Sequence, residues 1–231
     1  MRESLCVALD GTDREWILNT ARLVSPHAGW LKVGLEAFTA HGPALVEEIA
    51  ALDGCVFLDL KLHDIPATVR RAAANCAAAG ARMFNVHAAG GAAMMEAAAE
   101  GARDGARGEA PKVLAVTVLT SLDRRALAGL GLDTEPEELV VRWARLAQDA
   151  GLDGAVASAR EAAAIRAACG GGFLIVTPGI RPAWAASDDQ RRIVTPAEAI
   201  ARGADILVIG RPITRAADPA GAAARILEEM G

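Results

Sequence analysis

Eight short runs of β-branched and aliphatic residues alternate with alanine-rich helical patterns along the whole 231-residue chain, and few architectures accept that count. Strands are expected near 4–9, 30–34, 55–60, 83–87, 112–119, 154–157, 173–177 and 205–209. Between them lie amphipathic stretches, such as 43–52 with Ala44, Leu45, Ile49 and Leu52 on one face, and 137–150 with Leu139, Val140, Trp143 and Leu146. Strands that are apolar throughout are buried on both faces, which requires a parallel sheet covered by helices. Eight βα units in this length predict an α/β fold: a (β/α)8 TIM barrel, one domain over 1–231. An open doubly wound sheet is the alternative, but eight near-even repeats favour closure.

Local signals agree with that reading. Thr12-x-x-Glu15, Thr134-x-x-Glu137, Ser158-x-x-Glu161 and Thr195-x-x-Glu198 fit the capping box, and Asp218-Pro219 is a cap followed by an N1 proline. Helix stops are expected at Gly80, Gly151, Gly203 and Gly231. The longest stretch without periodicity, 181–194, follows the seventh strand and is a candidate active-site lid.

Composition excludes several classes of partner. A net charge of −5 argues against nucleic acid or an anionic membrane, each of which needs a basic face. It leaves room for a small anionic substrate in a locally positive pocket. Cys6, Cys55, Cys76 and Cys169 form no C-x-x-C pair and read as reduced structural thiols. No apolar run approaches the roughly 18 residues of a membrane helix. The N-terminus enters Leu5-Cys6-Val7-Ala8-Leu9 at once, so no signal peptide and a cytoplasmic location are expected.

In a barrel of this kind the active site lies at the C-terminal ends of the strands. Those ends carry Asp10, Lys32, Asp59 with Lys61, Asn85-Val86-His87, Thr120-Ser121, Thr177-Pro178-Gly179 and Gly210-Arg211. Lysine is rare: three of the 24 basic residues (Lys32, Lys61, Lys112) are lysine and 21 are arginine. Keeping lysine at a strand mouth suits chemistry that needs a proton given up, which arginine cannot do. Asp59 and Lys61 are two apart and on an extended strand would project to one side. A fold has no need of two lysines among carboxylates, since each buried charge costs several kcal/mol unless paired. Gly210 with Arg211 after the last strand reads as a phosphate position. Ser158 reads as a helix cap, His87 as a hydrogen-bonded core residue, His27 and His41 as loop residues, and 92–99 as helix core. No His/Cys/carboxylate cluster has metal-site spacing, so metal-free, cofactor-free chemistry is expected.

Asp59-Leu60-Lys61-Leu62-His63-Asp64-Ile65-Pro66-Ala67-Thr68 resembles the D-x-K-x-x-D-I-P-x-T signature of the orotidine 5′-phosphate decarboxylase family. Val7-Ala8-Leu9-Asp10, Leu31-Lys32-Val33-Gly34, Leu119-Thr120-Ser121, Val176-Thr177-Pro178-Gly179-Ile180-Arg181 and Ile209-Gly210-Arg211-Pro212-Ile213 resemble its other blocks, in family order. The resemblance covers essentially the whole chain. It implies a cofactor-free carboxy-lyase converting orotidine 5′-phosphate (OMP) to UMP and CO2 in pyrimidine biosynthesis. In that reading Lys61 donates the proton, and Lys32, Asp59 and Asp64 complete an alternating charge network. Asp10 and Lys32 hold the ribose; Thr120, Ser121 and Pro178 lie by the pyrimidine; Arg181, Gln190, Gly210 and Arg211 close on the phosphate. The resemblance also implies a homodimer in which Asp64 and Thr68 reach the neighbouring subunit's site.

Two other readings stand beside it. One is a Mg²⁺-dependent sugar-phosphate decarboxylase or aldolase of the same superfamily, in which a metal-binding glutamate is expected where this chain has Lys32. The other is a catalytically silent nucleotide-binding barrel, which a degraded lysine–aspartate set would mark.

Overall fold

The computed structural model describes residues 1–52, 54–185 and 194–231. Eight parallel strands close into a barrel in sequence order: β1 Leu5–Ala8, β2 Trp30–Gly34, β3 Cys55–Leu62, β4 Met83–His87, β5 Lys112–Val116, β6 Gly154–Val156, β7 Leu174–Pro178 and β8 Ile206–Ile209. β8 pairs back onto β1, with Cys6 opposite Val208, so no strand edge is left open. The expected strands are recovered. β5 stops at Val116 rather than 119 because β6 ends at Val156 and offers no further ladder.

The period of two sorts each strand between two cores. Cys6, Ala8, Trp30, Phe57, Met83, Leu114, Val176, Ile206 and Val208 fill the barrel interior. Their alternates, including Leu5, Val7, Leu31, Val33, Val56, Leu58, Phe84 and Val86, face the helices. The same alternation sends Lys32, Asp59 and Asn85 inward, one layer above the apolar plug. The thiol of Cys6 is wholly buried under this layer, and burial pushes its pKa far up, leaving an inert packing group.

Helices begin less simply than the sequence pattern suggests. Of the four expected capping boxes, Thr195 with Glu198 alone forms in full among the described residues. Asp13, not Thr12, caps the helix Arg14–Val24 by accepting from Trp16 N. Pro136 takes the N1 position of Pro136–Asp149 and so places Glu135 at the cap. Ser158 lies outside Ala162–Cys169, whose cap is Glu161; its hydroxyl bonds the Glu161 carboxylate and accepts from Arg160 N. Asp218 caps Pro219–Glu229 as expected. Gly80, Gly151, Gly203 and Gly231 each stand two residues beyond a helix end with positive φ. His41 is the last residue of Leu35–His41 rather than a loop residue, its Nε2 2.8 Å from Thr12 O.

Candidate active site

β1, β2 and β3 are adjacent, and their mouths deliver a chain of alternating charge. Lys32 Nζ donates to Asp10 Oδ1 at 2.9 Å and lies 3.5 Å from Asp59 Oδ2. The other oxygen of Asp59 accepts from Lys61 Nζ at 2.7 Å. Burial opposes the Lys32 ammonium, but the Asp59 and Asp10 carboxylates outweigh it and hold its pKa above the ordinary lysine value. Burial likewise raises Asp59, yet Lys32, Lys61 and hydrogen bonds from Lys61 and Asn85 prevail and hold it below the usual carboxylate value. Lys32 and Asp59 therefore stay charged near neutral pH. The Lys32 side chain is 9% exposed and that of Lys61 32%, so Lys61 is the ammonium with access to a bound molecule.

Lys61 and Asp59 do not meet by simple extended-strand alternation. Lys61 has φ +53°, and the β3–β4 register shifts between Leu58 and Leu62. The two side chains reach the same side through a bulge.

Around this chain the mouth divides into three spaces. A small cavity of about 160 Å³ is bounded by Lys32, Asp59, Lys61, Thr120, Pro178 and apolar residues including Val118 and Val156. Beside it, about 550 Å³ is lined by Asp10, Lys32, Pro178, Arg181, Gly210 and Arg211. A wider cleft of about 1050 Å³ opens past Thr120, Ser121 and Pro178. The sequence-derived set thus converges, with three exceptions. Asp64 and Thr68 lie at the rim, where Asp64 Oδ1 accepts from Ile65 N at 2.6 Å and, among the described residues, Asp64 forms no ion pair. Gln190 lies outside the described residues.

One cation escaped the sequence reading, and two residues placed at the strand mouths, Asn85 and His87, take parts that it did not give them. Arg215 lines the 550 Å³ cavity with Arg181 and Arg211; its signal was the i, i+4 spacing from Arg211. Among the described residues none of these arginines is paired with a carboxylate, so three cations face one space. Asn85, expected at the mouth of the fourth strand but given no role there, is fully buried and bonded to both Asp59 and Lys61. His87 is not hydrogen-bonded as expected: its Nδ1 is buried without a partner among the described residues, and its ring stacks on His63 at 5.5 Å. Burial, His63 and Lys61 all lower its pKa, which keeps the imidazole neutral.

A model of the orotidine 5′-phosphate decarboxylase / HUMPS family matches residues 3–226. The chain belongs to this family. An orotidine 5′-phosphate decarboxylase of Moorella thermoacetica is 54% identical over 99% of this chain and 92% of its own. One from Anaeromyxobacter sp. (strain K) is 56% identical over 97% of this chain and 96% of its own. The crystal structure of orotidine 5′-phosphate decarboxylase from Lactobacillus acidophilus superposes with a TM-score of 0.88 at 36% identity, covering 99% of both chains. Within the orotidine 5′-phosphate decarboxylase / HUMPS family, this chain carries a fixed cation, Lys32, between Asp10 and Asp59. Among the described residues no three His, Cys, Asp or Glu side chains are grouped to hold a metal ion.

Proposed function

We propose that this protein is an orotidine 5′-phosphate decarboxylase, releasing CO2 from OMP to leave UMP. The observation that carries the reading is the Lys61 ammonium, held 2.7 Å from Asp59 at the wall of the 160 Å³ cavity. Loss of CO2 breaks the C6–carboxylate bond and leaves the electron pair on C6, where no conjugated system can take it up. The site must therefore stabilise that charge itself. A positioned ammonium in a confined pocket does so, then transfers one N–H proton to C6 to complete the product. Asp59 beside the departing carboxylate repels it, and that repulsion is relieved as CO2 leaves.

The remaining residues bind and orient. Asp10 and Lys32 suit the ribose hydroxyls, and Thr120, Ser121 and Pro178 border the space for the pyrimidine. Arg181, Gly210 and Arg211, with Gln190 from the adjoining segment, suit a phosphate. That distant group takes no part in bond breaking, yet its binding energy is available to hold the ring in place. Asp64 and Thr68 point to a homodimer in which each copy completes the other's site. Ile65, between them in the chain, is 66% exposed and gives the rim an apolar side chain.

Purified, metal-stripped protein should abolish the ultraviolet absorbance of orotidylate at a rate unchanged by EDTA. Lys61→Ala should retain UMP binding while losing all but a few per cent of turnover. Activity lost to EDTA would favour the metal-dependent sugar-phosphate chemistry instead. Intact turnover in Lys61→Ala would refute the proton-donor role.

A further inference from the structure

β3 meets β4 unevenly. Leu58 pairs with Phe84 and Leu62 with Val86, so Asp59, Leu60 and Lys61 together stand opposite Asn85 alone. A bulge of this kind strands backbone groups that the ladder would have paired. Asn85, with no exposed surface, meets the need with its side chain. Its Oδ1 accepts from Lys61 N at 2.7 Å, and its Nδ2 donates to Asp59 Oδ1 at 2.7 Å.

Lys61 is the only non-glycine among the described residues with positive φ. That conformation brings Cβ too close to the backbone and persists only where the surroundings impose it. Here the imposing group is the same carboxamide that aligns Asp59. The oxygen of Asp59 that Asn85 grips is also the one that receives Lys61 Nζ. A single side chain therefore sets the backbone of the ammonium-bearing residue and the direction of its counter-ion.

We propose that Asn85 is a positioning residue for the decarboxylation, fixing the separation and aim of the Lys61–Asp59 pair without touching substrate. The proposal rests on the decarboxylase reading. Only a carboxamide serves here, because one end must accept and the other donate. Leucine of similar size supplies neither. Aspartate keeps the acceptor for Lys61 N, but donates to Asp59 only while protonated; once ionised, the two carboxylates repel. The charged and titratable neighbours are Asp59 and Lys61 on β3, Lys32 beyond Asp59, and His87 two residues along β4, stacked on His63. On the β5 side Asn85 pairs with apolar Leu114.

The test is steady-state OMP kinetics over pH for the unmutated protein, Asn85→Leu and Asn85→Asp. A displacement of the ammonium by about 1 Å costs on the order of 10²-fold in rate. Asn85→Leu should therefore lose kcat by that order with KM within about threefold, and its ratio to the unmutated protein should be flat with pH. For Asn85→Asp the ratio should be highest at acid pH and fall as pH rises. A purely structural role predicts losses that follow the melting temperature and an Asn85→Asp ratio as indifferent to pH as that of Asn85→Leu, and that result overturns the proposal. So does Asn85→Leu within threefold of the unmutated kcat. Failure of the unmutated protein to consume orotidylate would sink the functional reading instead. If neither variant folds, hydrogen exchange on the unmutated protein decides: the Lys61 amide should be protected, and exchange at the free-peptide rate refutes the clamp.

Discussion

A methyl group at Gly34 would sit 2.7 Å from Lys32 Nζ and 2.9 Å from Asp10 Oδ1, closer than real side chains approach. Gly34 has an ordinary φ of −92°, so alanine meets no backbone strain. The obstructed atoms are the ends of the Lys32 and Asp10 side chains, which can shift without moving the backbone. Replacing glycine also restricts the unfolded chain, which contributes about 0.4–1 kcal/mol of stability. Gly34→Ala should therefore melt within a few degrees of the unmutated protein while losing on the order of 10²-fold in OMP turnover, because it displaces the Lys32 ammonium. Kinetics beside a thermal melt check both halves, and equal turnover would show that the Lys32–Asp10 contact is not needed. Residue types and spacing made Asp10, Lys32, Asp59 and Lys61 legible as a set. The close approach of Lys32 and Asp10 to Gly34 and the two-ended use of Asn85 were not, because both depend on atoms brought together from different strands.

The helices Pro66–Ala78 and Ala92–Gly105 pack unusually close, and the contact has a chemical basis. Added Cβ atoms at Gly101 and Gly105, one turn apart, would each lie 2.1 Å from a carbonyl oxygen, of Arg70 and Ala74 respectively. These neighbours are backbone and cannot step aside. Gly101→Ala gains about 1 kcal/mol of helix propensity but pays an overpacking cost of 1–3 kcal/mol or more, so destabilisation by about 1–2 kcal/mol should win. Gly129 ends the helix Arg124–Gly129 with open space around its would-be Cβ, and Gly129→Ala should be neutral or slightly stabilising. Urea unfolding of the two variants checks the contrast; an unchanged Gly101→Ala would mean the helices part freely. At this scale most strands were read to within a residue or two, since a run buried on both faces has a distinct composition. Three of four capping boxes were not, because Asp13, Pro136 and Glu161 compete for the same turns and local pattern cannot rank them. The β3 bulge was hidden too, as its partner is a side chain one strand away.

For the molecule as a whole, the chain is acidic overall yet opens one cavity to three arginines that have no carboxylate partner among the described residues, a local field suited to a small dianion rather than to a polyanion. What the single chain does not bring to that site is Asp64. Its carboxylate lies at an exposed rim with Thr68, flanked by the apolar Ile65, while Lys61 is left with Asp59 as its one ion-pair partner among the described residues. A second copy related by a two-fold axis would bring its own Asp64 and Thr68 to the opposite mouth, since such an interface uses the same patch twice. The arrangement has a consequence that a self-contained site lacks. Lys61→Ala and Asp64→Ala should each be inactive alone. In a mixed dimer one site then lacks both groups, and the other regains the lysine of one copy and the aspartate of its partner. Random exchange at equal amounts should restore about a quarter of the sites. Activity should rise with the kinetics of subunit exchange and scale with the product of the two fractions. If exchange is verified by mass-tagged subunits and turnover stays at the level of the separate variants, each site is complete within its own chain and Asp64 serves another purpose.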